Sequence, residues 1–180
     1  MEIGSDTYIA CMCEGGAEDA IINILLDNGM LCFSREQLVD EQLIRRCKAR
    51  DFEKRYLRRE YDRKITIIRV LDSKGERFNL KAAYQHQVDR VIDIVTAPEI
   101  EMLVILAEEK YDDFRSKRYQ HKKPSDYCKQ ILKMKNIKKP EFIRGYFSDI
   151  EKLLGAIKEY DRLHRKEKGE LSLSALLKNN

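Results

Sequence analysis

The chain has 180 residues, 43% of them hydrophobic and 37% charged, with a formal net charge of +4. That length suits one domain with a helical appendage, and the apolar share is enough for a real core. No run approaches the roughly 18 apolar residues of a membrane span, MEIGSDTYIA lacks the features of a signal peptide, and five cysteines among apolar neighbours point to reduced cytoplasmic thiols rather than disulfides.

Tyr8 to Cys13 is a short apolar run that stops at Glu14, Gly15 and Gly16 and gives way to an amphipathic segment, Ala17 to Leu26. It reads as a buried strand, a tight glycine turn and a helix, the glycines permitting positive φ or close approach of a ligand. The Glu-Gly-Gly spelling lacks the Lys-Ser/Thr of a phosphate-binding P-loop and the third glycine of a dinucleotide fingerprint. Cys11 and Cys13 share one strand with no second ligand pair, so no zinc site is expected. Met30 to Phe33 is a candidate second strand, and Ser34 caps Arg35 to Gln37 with Gln37 at capping-box spacing. Glu41 to Tyr61 reads as one or two charged helices, whose basic residues Arg45, Arg46, Lys48, Arg50, Lys54, Arg55, Arg58 and Arg59 alternate with acids as on a salt-bridged helix face.

KITIIRVLD, Lys64 to Asp72, is the clearest β signal: β-branched and continuously apolar, as in an interior parallel strand. It ends in a carboxylate, Asp72, before the turn Ser73-Lys74-Gly75. Leu80 to Gln87 suits a short helix, and Arg90 to Val95 another strong strand. Thr96-Ala97-Pro98 then opens a helix from Glu99 to Tyr111, with Glu99 and Glu101 in its first turn. Pro124 begins a basic helix to about Lys135. Glu141 to Arg165 is amphipathic, with Phe142, Tyr146, Phe147, Ile150, Leu153, Leu154 and Ile157 on one face. Gly169 breaks it, and a short tail helix covers Leu171 to Leu177. This order predicts an α/β fold, a mostly parallel sheet flanked by helices (residues 1–112), with a basic helical C-terminal extension (113–180) packed on it.

Charge is unevenly spread. Arg115 to Lys139 holds ten Lys/Arg against one acid, Asp126, a local +9 that leaves the remainder at −5. Concentrated positive charge is an electrostatic footprint for phosphate backbones. Arg115, Lys117, Arg118, Lys122, Lys123, Lys133 and Lys135 are the nucleic-acid-binding candidates, with Tyr119 and His121 available for base stacking. Glu14 and Asp72 each end a strand, so a right-handed crossover brings both to one sheet edge, where Glu99 and Glu101 can join them. Clustered carboxylates call for a cation, and Mg²⁺ or Mn²⁺ takes one or two of them plus water and substrate phosphate. The bland readings are a turn-capping Asp72 and dipole-matching acids at Glu18, Asp19 and Glu101.

CEGGAED after a first strand resembles the first motif of the topoisomerase–primase (TOPRIM) domain. The strand ending at Asp72 sits where that family places its Asp-x-Asp motif. TAPEIEMLVIL, Thr96 to Leu106, resembles the Asn-Pro-x-Phe-Glu segment of the RloB-like branch found beside anti-phage genes, with Pro98 and Glu101 matching and Ile100 in the aromatic position. The resemblance covers about residues 7–112. It implies a TOPRIM-like fold and a metal-dependent nuclease in phage defence or mobile-element biology, with Glu14 as general acid/base and Asp72 as metal ligand. The second Asp falls at Lys74, which cannot bind metal, so Glu76, Glu99 or Glu101 takes its place or the site is degenerate. The alternative is a non-catalytic nucleic-acid-binding module. The C-terminal helices are also expected to offer a surface for a partner protein or a second copy.

Overall fold

Four strands, β1 (Tyr8–Cys13), β2 (Ile44–Arg45), β3 (Ile65–Leu71) and β4 (Val88–Val95), form one all-parallel sheet in the order β2-β1-β3-β4. The computed structural model describes residues 3–4, 6–73, 75–164 and 169–178. Every residue of β3 is buried, which is why its sequence is continuously apolar rather than alternating. Side chains still divide by face. Ile68 and Val70 join Ile9, Cys11, Ile92 and Ile94 in a large core, whereas Ile65 and Ile67 join Ala10, Met12 and Ile44 in a smaller one.

The large core lies under α1 (Gly16–Asp27), α3 (Met102–Ala107), α5 (Pro124–Gln130), α6 (Pro140–Tyr146) and α7 (Ile150–Leu163). The smaller core lies under α2 (Ala49–Tyr56), with Phe52 fully buried. Between α3 and α5 comes a short helix, α4 (Tyr111–Arg115). The C-terminal extension supplies Ile143, Phe147, Leu153 and Ile157 to the same core as the sheet. The tail completes the fold: Leu176 accepts from the Cys32 amide at 2.8 Å, and Leu171 accepts from the Val95 amide at 2.8 Å.

Several expected elements take another form. Met30 to Phe33 is no sheet strand; Leu31 makes only an isolated antiparallel bridge to Leu177, and Ile44–Arg45 pairs with β1 instead. The expected helix over 41–61 shrinks to α2, because β2 and its flanks keep the preceding residues extended. The basic residues around α2 reach beyond the helix for ion pairs, Arg46 to Glu14 and Glu76, and Arg59 to Asp40. The amphipathic stretch from Glu141 splits at Phe147–Asp149, where the Asp149 side chain accepts from the Glu151 amide at 3.0 Å and starts α7 anew. Gln37 Oε1 does accept from the Ser34 amide at 3.1 Å, closing the expected capping interaction. Lys74, expected beside Asp72, and Arg165 lie outside the described residues.

Candidate functional site

The parallel register of β1 and β3 pairs Cys13 with Val70, so Glu14 and Asp72 leave the sheet side by side. The Asp72 amide donates to Glu14 Oε2 at 3.2 Å. The Thr96 amide donates to the Leu71 carbonyl at 2.8 Å, which brings the segment after β4 to the same edge with Glu99 and Glu101. All four predicted acids line one cavity of about 120 Å³, together with Gly15, Gly16, Glu18 and Lys138. That volume has room for several waters.

The glycines serve close approach. Neither Gly15 nor Gly16 has a positive φ. A Cβ on Gly15 would lie 2.8 Å from Glu18 Oε2, and one on Gly16 would lie 2.9 Å from Pro140 Cγ. The first contact lets Glu18 fold back into the cavity; the second lets the loop before α6 settle on the start of α1. Glu18 is in the first turn of α1, where an acid matches the helix dipole, and is also a buried wall of the cavity.

That loop delivers Lys138, whose Nζ lies 3.2 Å from Glu99 and 4.0 Å from Glu101. Burial works against its charge, but Glu101 and Glu99 carry its pKa above the ordinary value. Burial also opposes ionisation of Glu99, yet the Ser125 amide (2.8 Å) and Lys138 outweigh it and lower the pKa. Glu101 is only 3% exposed. Burial, aided by Glu99 and Glu18 and opposed by Lys138, pushes its carboxyl up to about 7. Burial likewise raises Glu18, with Asp72 adding to the effect.

Glu14 is ion-paired to Arg46 of the segment after β2, and Arg46 in turn to Glu76. Glu76 also meets Arg69 at 3.2 Å, and Arg69 reaches Asp93 at 3.2 Å. Arg69 is 3% exposed, with its guanidinium 4.9 Å from the Phe78 ring centroid. Glu76 is thus held by two arginines and takes no part in the cavity wall. Five carboxylates (Glu14, Glu18, Asp72, Glu99, Glu101) face the cavity against the cations Arg46 and Lys138. When all are ionised an excess of negative charge remains, and oxygen donors of this kind suit a hard divalent cation. No set of three His, Cys, Asp or Glu among the described residues is spaced as a ready-made metal cage. A two-carboxylate site completed by water and phosphate needs no such cage.

Asp72 and Glu99 belong to a second space as well, a cleft of about 970 Å³. Its lining mixes Arg115, His121, Lys122 and Lys123 with the apolar Pro98, Met102, Leu106, Tyr111 and Leu163. Of the seven basic candidates, Arg115, Lys122 and Lys123 line this cleft, whereas Lys117, Arg118, Lys133 and Lys135 are exposed away from it. Tyr119 is buried edge-on against Tyr127, 5.2 Å between centroids, and is no stacking platform; His121 is exposed at the cleft. Lys138, Arg46 and Glu18 were not legible as site residues. Lys138 and Arg46 arrive through tertiary contacts and Glu18 through a local one with Gly15; only the run Lys138-Lys139-Pro140, where a proline opens a helix, hints at a chain reversal there.

All five cysteines are free thiols, and no helix among the described residues is long and apolar enough to cross a membrane. Comparison with family models, curated proteins and solved structures finds no match.

Proposed function

We propose that this protein binds nucleic acid along the basic cleft and cleaves a phosphodiester at the acid cavity with the help of Mg²⁺ or Mn²⁺. One observation carries the reading: the four strand-end and loop acids share a cavity that has Asp72 and Glu99 in common with a cleft lined also by Arg115, Lys122 and Lys123. Electronegative metal-binding groups beside a phosphate track are what phosphodiester chemistry needs. Glu14 and Asp72 are the residues to hold the cation, which when bound supplies a Lewis acid for the phosphoryl oxygens. Arg46, itself anchored by Glu76, holds Glu14 in place. Glu101, with a pKa of about 7, is suited to hold or release a proton near neutral pH. These three cations align the backbone and so restrict which phosphate reaches the acids. A cytoplasmic location and a role in defence against phage or mobile elements accord with this reading, the latter through the TOPRIM-like resemblance.

A second reading, a non-catalytic nucleic-acid-binding module, is favoured by Arg46 and Lys138, which already neutralise part of the acid cluster. One assay separates them. The purified chain is incubated with labelled DNA and RNA in Mg²⁺, Mn²⁺ or chelator. The nuclease reading expects metal-dependent cleavage that Glu14→Gln and Asp72→Asn each reduce by at least ~100-fold, a loss of about 2.7 kcal/mol of transition-state stabilisation. Binding without cleavage in either metal leaves the module; cleavage untouched by both substitutions moves the chemistry elsewhere.

A further inference from the structure

The cleft beside the acid cavity has a mixed lining, and its apolar part needs an explanation. Lys122, Lys123 and Arg115 suffice to track any phosphate backbone. A duplex turns its phosphates and groove edges outward and keeps its base faces stacked inside, so it has nothing to lay against Pro98, Met102, Leu106, Tyr111 and Leu163. An unstacked base has such a face, and stacking on aromatic and apolar side chains is how single strands are held without reading their sequence. Dimensions agree. A cleft of about 970 Å³ is at the upper end for a small-ligand site. It has room for a short stretch of single strand and none for a double helix.

The charge pattern fixes how the strand lies. Lys122 and Lys123 precede α5, and Arg115 closes α4, so all three cations come from the C-terminal extension. Asp72 and Glu99 sit at the end shared with the acid cavity. Phosphates are attracted to the three basic side chains and repelled from the two acids unless a cation intervenes.

Building on the nucleic-acid reading above, we propose that the cleft selects single-stranded nucleic acid, with a base against the apolar lining at Tyr111 and backbone phosphates on Arg115, Lys122 and Lys123. The selectivity resides in binding and needs no metal.

The test is fluorescence anisotropy of the full chain in chelator, with labelled oligothymidylate, oligouridylate and the matching dA·dT duplex. Single strands should bind at least ~10-fold tighter than duplex, since stacking contributes about 1–3 kcal/mol per base. Tyr111→Ala should weaken single-strand binding about fivefold or more with an unchanged salt slope. Lys122→Gln with Lys123→Gln should flatten that slope by about 1.4, at roughly 0.7 per single-strand phosphate contact. The exposed lysine variants guard against misfolding of the Tyr111 variant. Duplex bound as tightly as single strand overturns this inference and leaves nucleic-acid binding standing. A single-strand preference that survives all these substitutions also overturns it, because the strand then lies elsewhere. Absence of binding to every probe removes this inference and the reading beneath it together.

Discussion

Glu101 concentrates the electrostatics of the site. Its folded pKa of about 7 lies above the ordinary carboxylate value near 4.3 in an unfolded chain. Between those values the folded state holds more protons than the unfolded one, so this group contributes stability that is complete at low pH and is lost as pH rises to about 7. Glu18, also raised, acts in the same direction; the lowered Glu99 acts oppositely, and only at more acid pH. In chelator, the melting temperature should therefore fall from pH 5 to pH 8, and Glu101→Gln should flatten that dependence. Thermal melts across the pH range decide it, and a rising profile would contradict the argument. Lys138 is the matching cation. Its side chain is half exposed, so Lys138→Met should cost only about 1 kcal/mol, or roughly 2–4 °C for a chain of this size. The same variant leaves Glu99 and Glu101 without their ammonium. Mg²⁺ or Mn²⁺ should then raise its melting temperature more than that of the wild type; an equal or smaller rise would mean that Lys138 does not compete with the cation.

Elements meet their demands in different ways. β3 is buried on both faces yet carries Arg69 in its middle, an expensive placement made tolerable by Glu76, Asp93 and the Phe78 ring. Arg69→Ala should destabilise the protein by about 3–5 kcal/mol in urea unfolding. Arg69→Met should cost less, because its side chain fills the space while the half-buried Glu76 and Asp93 regain water. Both should disturb Glu14 through Glu76 and Arg46, so metal binding should weaken even where the fold survives. If Arg69→Ala melts like the wild type, the network is surface decoration. At the same edge of the sheet, Tyr160 of α7 donates to the Ala97 carbonyl, fixing the loop that carries Glu99 and Glu101. A helix of the C-terminal extension thus helps to place acids that follow a strand of the sheet.

At the scale of the whole molecule, the extension is part of the core rather than an addition to it. α6 rests on α1, with Pro140 against Gly16, and α7 packs along α3. A chain ending at residue 112 lacks Ile143, Phe147, Leu153 and Ile157, all buried in the large core of the full chain. At roughly 1.5–3 kcal/mol for each large apolar side chain no longer buried, that loss is comparable to the net stability of an ordinary domain. Residues 1–112 alone should be insoluble or unfold without a cooperative transition. A soluble fragment with a sharp urea transition would show that the sheet and its first helices suffice. The same argument explains why the acid cavity needs the entire chain: Lys138 and the Ser125 amide reach it from the extension.

The signals that could be read along the chain were local. Periodicity marked β1, β3, β4 and α1, because strand burial and helix amphipathicity repeat over a few residues. It marked Glu14 and Asp72 because each terminates an apolar run, and parallel pairing of neighbouring strands must set such residues together. The tertiary structure alone decided which residues sit opposite them. Glu76, the residue after the turn, went to Arg46 and Arg69, whereas Glu18 turned inward where Gly15 left space. Lys138, remote in sequence, came to rest between Glu99 and Glu101, and the basic run divided into three cations on a cleft and others in solvent. The physical reason is range. A strand end declares itself through neighbours one to four residues away, while the partner of a charge depends on how distant helices pack, which no local pattern records.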